Sequence, residues 1–226
     1  MPANKPRRKA GRSAKRRPAS DSKSQIWAVI TGVGIVLLIA FYISQAQEND
    51  HTVSLPDGNS LLTVKTNPAM PEQLVRYTGM DVSFNAETHE PNWVAWELLG
   101  SETSGETSRH STFQTDPDVP GCARTEDYRG SGYDRGHMAP AGDMKWSAQA
   151  MKESFFLTNI CPQNGDLNRN AWNTLEQKCR QRAVTDSALV IVTGPIFRKG
   201  EGIQRIGATG IAVPRQFFKV ILSPYA

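Results

Sequence analysis

The chain has 226 residues, 26 Lys/Arg against 22 Asp/Glu, and an ordinary apolar content of 38%, which suits one folded domain with a sizeable core rather than a fibrous or wholly disordered chain. The formal charge of +4 is unevenly held: residues 1–25 carry nine Lys/Arg and a single acid, Asp21, for a net of +8, while residues 26–226 carry 17 basic and 21 acidic side chains, a net of −4. The folded part is therefore mildly acidic, which excludes bulk charge as an argument for nucleic-acid binding; any such function has to rest on a local site.

Residues 1–25 are rich in Lys, Arg, Pro, Ser and Ala and read as a disordered basic tail. The run "IWAVITGVGIVLLIAFYI", Ile26 to Ile43, contains no charge; as a helix it would span ~27 Å, close to a bilayer core. Trp27 and Tyr42 sit near its ends, where amphipathic rings favour the interface. Residues 26–45 thus read as a single transmembrane anchor. The positive-inside rule puts the tail in the cytoplasm and the rest of the chain on the non-cytoplasmic side, in the periplasm or an equivalent space. The rival is a cleaved signal peptide ending at "SQA" (Ser44 to Ala46). Residues 46–71 are polar, with the turn "PDGNS", and read as a linker to a domain over 72–226.

Within the domain, "WVAWELL" (Trp93 to Leu99), "SFFLTNI" (Ser154 to Ile160), "ALVIVTGPI" (Ala188 to Ile196) and "QFFKVIL" (Gln216 to Leu222) read as strands; the last alternates, with Phe218, Val220 and Leu222 on one face. Trp172, Leu175, Cys179 and Ala183 recur at helical spacing and predict a helix from Asn168 to about Ala183. Interleaved strands and helices with short connections point to an α+β domain around a largely antiparallel sheet. The three cysteines, Cys122, Cys161 and Cys179, have no CxxC spacing; they allow one internal disulfide at most, or plain burial.

Common chemistries drop out first. The four histidines (His51, His89, His110, His137) form no HExxH or HxH pair, and neither GxSxG nor GxxxxGK[ST] occurs. His51, His89 and His110 lie in polar stretches and read as solvated. His137 differs. It sits in "YDRGHMAPAGDM", with Gly132 and Gly136 allowing a tight backbone path and Arg135 able to meet an anion. An imidazole whose pKa stays near its usual value can act as a general base. Downstream, Asn168 opens the predicted helix. It reads either as an N-cap or as a carbonyl ligand to a hard cation, which keeps most of its water shell. Glu176 could hold water of that shell or pair with Arg180 at i+4.

"DRGHMAP" followed by "TNICPQNGDLNRNAWNTLE", with "LVRYTGMDVSFN", "PNWVAWEL", "TGPIF" and "VPRQFFKVIL", resembles the DNA/RNA non-specific endonuclease family, the ββα-metal nucleases that include endonuclease G. The resemblance implies the ββα-metal fold. It also implies a sugar-non-specific, Mg2+-dependent (or Mn2+-dependent) endonuclease that cuts DNA and RNA to 5′-phosphate ends. By the same resemblance His137 is the general base, Asn168 the metal ligand, and Glu176 the residue that orients water on the metal. Arg135 and Arg180 stabilise charge on the phosphate, Asn159 positions His137 or the substrate, and Asp134 is a structural partner. Two departures stand out. Asn170 occupies a position where the family commonly has Gly, and the family usually continues some tens of residues past the "FFKVIL" strand, so an open sheet edge is expected there. Readings of other classes are a membrane-tethered, catalytically inactive nucleic-acid-binding protein and an enzyme for small phosphodiesters. A homodimer and a protein inhibitor are the further partners that such a nuclease would admit.

Overall fold

The computed structural model describes residues 64–198 and 202–224. The basic tail, the apolar run and most of the linker predicted from sequence lie outside the described residues.

Five strands make one antiparallel sheet: β1 (Gln73–Arg76), β2 (Asp81–Asn85), β3 (Glu90–Leu99), β6 (Ala188–Ile196) and β9 (Gln216–Leu222), hydrogen-bonded in the order β1-β2-β3-β6-β9. β3 and β6 run in register from Val94↔Thr193 to Leu99↔Ala188. Most of their residues are buried, and their Val, Ile, Leu and Trp content is that of strands covered on both faces. Two short ribbons, β4 (Asp134–His137) with β5 (Ile160–Gln163) and β7 (Arg205–Ile206) with β8 (Ile211–Ala212), stand apart from the sheet. The predicted α+β, largely antiparallel architecture is therefore present. "SFFLTNI" differs from expectation. Leu157–Asn159 is a 3-10 turn, and the strand begins only at Ile160, because Asn159 uses its polar groups to fasten a neighbouring loop.

The helical layer is α1 (Ala148–Glu153) and a longer rod over residues 165–186. The rod consists of α2 (Gly165–Leu167), a π-turn (Asn168–Trp172) and α3 (Asn173–Asp186). It starts earlier than predicted because Asn164, not Asn168, is the N-cap: its side chain accepts from the backbone amides of Asp166 and Leu167. Asn170 carries helical rather than left-handed backbone angles, since the positive φ values among non-glycine described residues fall at His89 and Ser187. Its amide reaches Asp166 at 2.7 Å instead.

The rod lays Trp172, Cys179 and Ala183 on a core that includes Phe84, Trp96, Leu98, Met138, Phe155 and Ile191. Cys122, Cys161 and Cys179 are all buried and free, the plain-burial alternative. β9 corrects the amphipathic reading of "QFFKVIL". Val220 and Leu222, from the face expected to be apolar and inward, are 58% and 47% exposed. Phe217 packs on the core, and the ammonium of Lys219 is buried.

Candidate active site

β4 and β5 form the floor of the site. Their register pairs Asp134 with Gln163, Arg135 with Pro162, Gly136 with Cys161 and His137 with Ile160. Gly136 is required for closeness: a Cβ there would overlap the side chain of Gln163. The π-turn and α3 form one wall and the turn Ala141–Asp143 another. Together they enclose a cleft of about 640 Å3 that receives His137, Arg135, Asn168, Glu176 and Arg180. A π-turn widens a helix by one residue, and here it includes Asn168.

His137 is 8% exposed. Its ring stands edge-on to Phe155 (centroids 4.9 Å) and tilted to Phe113 (5.3 Å). Its Nε2 has no hydrogen-bond partner. Burial, and secondarily the nearby Arg109 guanidinium, push its pKa down to about 3. The expectation that it stays near its usual value is thus corrected, and the imidazole is neutral at physiological pH. Its backbone carbonyl accepts from Trp172 Nε1 at 3.2 Å, so the rod grips the strand that carries it.

Asn168 is not a cap. Its Nδ2 donates to Asp134 Oδ2 at 3.0 Å, and the other oxygen of Asp134 takes Arg169 at 2.7 Å. Tying the amino end this way leaves the carbonyl Oδ1 as the end available to a cation. Asp134 is a structural partner as expected, but of Asn168 and Arg169. Among the described residues no three His, Cys, Asp or Glu side chains gather into a metal cage. The donor set fits a hard cation held by one amide oxygen and mostly by water.

Glu176 faces the same cleft. Burial pushes its pKa up to about 7, against the lowering influence of Lys219 and Arg180. It does not pair with Arg180. That guanidinium goes to the buried Asp143 at 2.7 Å, whose second oxygen accepts from Trp96 Nε1 at 3.1 Å. Arg135 stacks over Phe113 (5.1 Å) and Tyr128 (5.8 Å), and its Nε is buried without a partner.

Asn159 does not line the cleft. Fully buried, it accepts from the backbone N–H of Ala139 and donates to the carbonyls of Ala139 and Ser154, all at 2.8–2.9 Å. It therefore fixes the chain two residues beyond His137. Arg109, which lay in an unpatterned polar loop, also borders the cleft, over the Phe155 ring at 5.1 Å. No periodicity or motif in "SETSGETSRHST" marks it. His89 and His110 are half-buried rather than merely solvated: His89 Nδ1 donates to the Gly121 carbonyl at 2.8 Å, and His110 packs on Phe155.

Residues 57–226 match the model of the DNA/RNA non-specific endonuclease family. The chain belongs to that family. Its similarity to mitochondrial nuclease EXOG of Homo sapiens is 36% identity over 206 residues, 85% of this chain and 56% of the human protein. Against mitochondrial nuclease 1 of Schizosaccharomyces pombe it is 38% over 167 residues, 67% and 51% of the two chains. The chain thus spans about half the length of the curated relatives it matches. A solved structure of an EndoG/EndoGI complex superposes with a TM-score of 0.66 at 33% identity, covering 71% of either chain, so the ββα-type nuclease fold is shared. These relatives correct the expected location. The human and fission-yeast nucleases bear mitochondrial names, and no helix among the described residues is long and apolar enough to cross a membrane. A membrane-anchored catalytic domain facing a periplasm-like space is not supported.

Proposed function

We propose that this endonuclease-family chain hydrolyses phosphodiester bonds in DNA and RNA without regard to the sugar, in a Mg2+-dependent reaction centred on His137. The observation that carries this is the unpartnered, buried Nε2 of a neutral imidazole in a cleft that also holds an amide oxygen, a carboxyl group and several guanidinium groups.

The residues divide the work as follows. His137 Nε2 takes a proton from the attacking water as the water oxygen bonds to phosphorus; the P–O3′ bond breaks with its electron pair going to the 3′-oxygen, which takes a proton from a solvent water, leaving a 3′-hydroxyl and a 5′-phosphate. Arg135, with Arg109 and Arg180 at the rim, offers guanidinium groups to the charge that builds on the phosphoryl oxygens. A phosphate bound against Arg109 also offsets the cation that lowers the basicity of His137, so substrate binding makes the base stronger. Asn168 would hold Mg2+ through Oδ1, and Glu176 would orient water of its shell; the cation supplies Lewis-acid stabilisation of the phosphoryl oxygens. Recognition through phosphates predicts weak sequence preference and strong salt sensitivity. The solved relative's complex with an inhibitor, EndoGI, supports a protein inhibitor as a partner.

The test is digestion of plasmid and of RNA with Mg2+ and with EDTA, beside His137→Ala. Cutting of both polymers that EDTA and the substitution abolish is the expected result. Nucleic-acid binding without cutting by the folded wild-type protein would instead leave a catalytically inactive binding protein.

A further inference from the structure

Lys219 lies on β9, opposite Thr193 of β6, on the face turned toward the catalytic rod. Its Nζ is buried and has no hydrogen-bond partner. It sits 4.8 Å from the Trp96 ring centroid and 4.6 Å from that of Trp172, so the ammonium is held between two indoles. Cation–π attraction is strongest on Trp and grows when water is excluded.

Both indoles have other work. Trp96 Nε1 donates to Asp143, which holds Arg180, and Trp172 Nε1 donates to the carbonyl of His137. Trp172 and Glu176 are four residues apart on the rod and share a face. Lys219 thus underlies the base, the arginine and the carboxylate through two shared rings.

We propose that Lys219 is a positioning residue of the cleft: its ammonium, clamped between Trp96 and Trp172, is a fixed counter-charge beneath the Glu176 face of the rod and holds that carboxyl group toward the cleft. An ammonium without a direct hydrogen bond acts through its field, which is strong in a water-poor setting. The charged and titratable groups that act on Glu176 are Lys219 from β9, Asp143 from the turn, Arg180 from α3 and Arg109 from the loop. Arg180 is engaged by Asp143 and Arg109 is exposed, so Lys219 is the cation whose removal leaves Glu176 least compensated. Burial lowers the pKa of Lys219, and the acidic groups that act against this and favour its ammonium form are Glu176, Asp143 and Cys179.

The kinetic consequence rests on the nuclease reading; the electrostatic one does not. The first measurement is therefore the titration of Glu176 by carbon NMR of labelled, metal-free full-length protein, assigned with Glu176→Gln. In Lys219→Met and Lys219→Gln, both neutral, the Glu176 midpoint should move to higher pH by about one unit. In Lys219→Arg, which keeps a cation on the indoles, it should move back toward the wild-type midpoint. If the wild type cuts nucleic acid, the acid limb of its pH–rate profile should shift with the same sign, in kcat more than in KM. An unchanged Glu176 midpoint in folded neutral variants would overturn the proposal. So would neutral variants that fail to fold beside a folded Lys219→Arg, since the charge would then serve the fold rather than the cleft. An inactive wild type with a shifted midpoint would uphold the proposal and sink the nuclease reading alone.

Discussion

Asp134 accepts the side-chain amide of Asn168 at 3.0 Å, and this bond decides which end of that amide faces the cleft. An Asn presents either a donor or an acceptor on a given side; with Nδ2 held by a carboxylate, the acceptor is turned free. In Asp134→Ala the amide loses that restraint and Arg169 its partner. The side chain of Asp134 is 25% exposed, so stability should fall by only about 1 kcal/mol. The Mg2+ concentration for half-maximal cutting should rise ~10–100-fold. A metal titration of activity checks this. An unchanged midpoint would mean that Asp134 does not orient Asn168 toward a cation.

Asn159 should behave in the opposite way, as a stability residue with an indirect effect on activity. Truncation to Ala leaves the N–H and carbonyl of Ala139 and the carbonyl of Ser154 without their buried partner. Unsatisfied buried groups of this kind should destabilise the domain by about 2–4 kcal/mol. Urea unfolding measures it. A loss of activity at full stability would instead make Asn159 a cleft residue, against its burial.

What could be read from the sequence divides along physical lines. The strands at Ala188–Ile196 and Gln216–Leu222 were legible because a run of branched and aromatic residues, with Gly-Pro near the end of the first and Pro214 just ahead of the second, carries a local signal. His137, Arg135, Asn168, Glu176 and Arg180 were legible as a group because they lie in two short stretches, one of which forms β4 and the other the rod. Their partners were not. Asp143 captures Arg180 from 37 residues away, and the i+4 spacing of Glu176 and Arg180 suggested a pair that the burial of Asp143 overrides. Lys219 was hidden for a different reason. Alternation in "QFFKVIL" favours the side holding Phe218, Val220 and Leu222 as the inner face, and only the two tryptophans, distant in sequence, make the lysine side the better one to cover.

Arg109 is a cleft residue that no sequence pattern revealed, and it offers two separable effects. Its guanidinium stands at the rim and lowers the basicity of His137. Removing it by Arg109→Ala should reduce kcat/KM by roughly 10²-fold, through lost stabilisation of charge on the phosphate. The same substitution should raise the His137 midpoint in the substrate-free protein, because a repelling cation has gone. Steady-state kinetics and NMR of the imidazole read the two effects independently. A kcat/KM within twofold of wild type would remove Arg109 from the catalytic set.

The depressed pKa of His137 also predicts how stability changes with acid. The imidazole titrates near 6.5 when unfolded and at about 3 when folded. Above about pH 6.5 both states are neutral and the group is indifferent. Between 6.5 and 3 the unfolded chain binds a proton that the folded one refuses, so stability is lost as pH falls through that window. Glu176 has the reverse sign: with a folded pKa of about 7 against 4.5, it disfavours the fold above pH 7 and relieves that cost as pH falls toward 4.5. The two partly cancel in the wild type, and substitution separates them. His137→Ala should resist acidification better than wild type, its stability difference improving by about 2–3 kcal/mol between pH 7.5 and 4.5. Glu176→Gln should lose more stability than wild type over the same range. Denaturant unfolding of the three proteins at both pH values decides the matter. Parallel curves for His137→Ala and wild type would mean that the imidazole is wetter than its packing between Phe113 and Phe155 indicates.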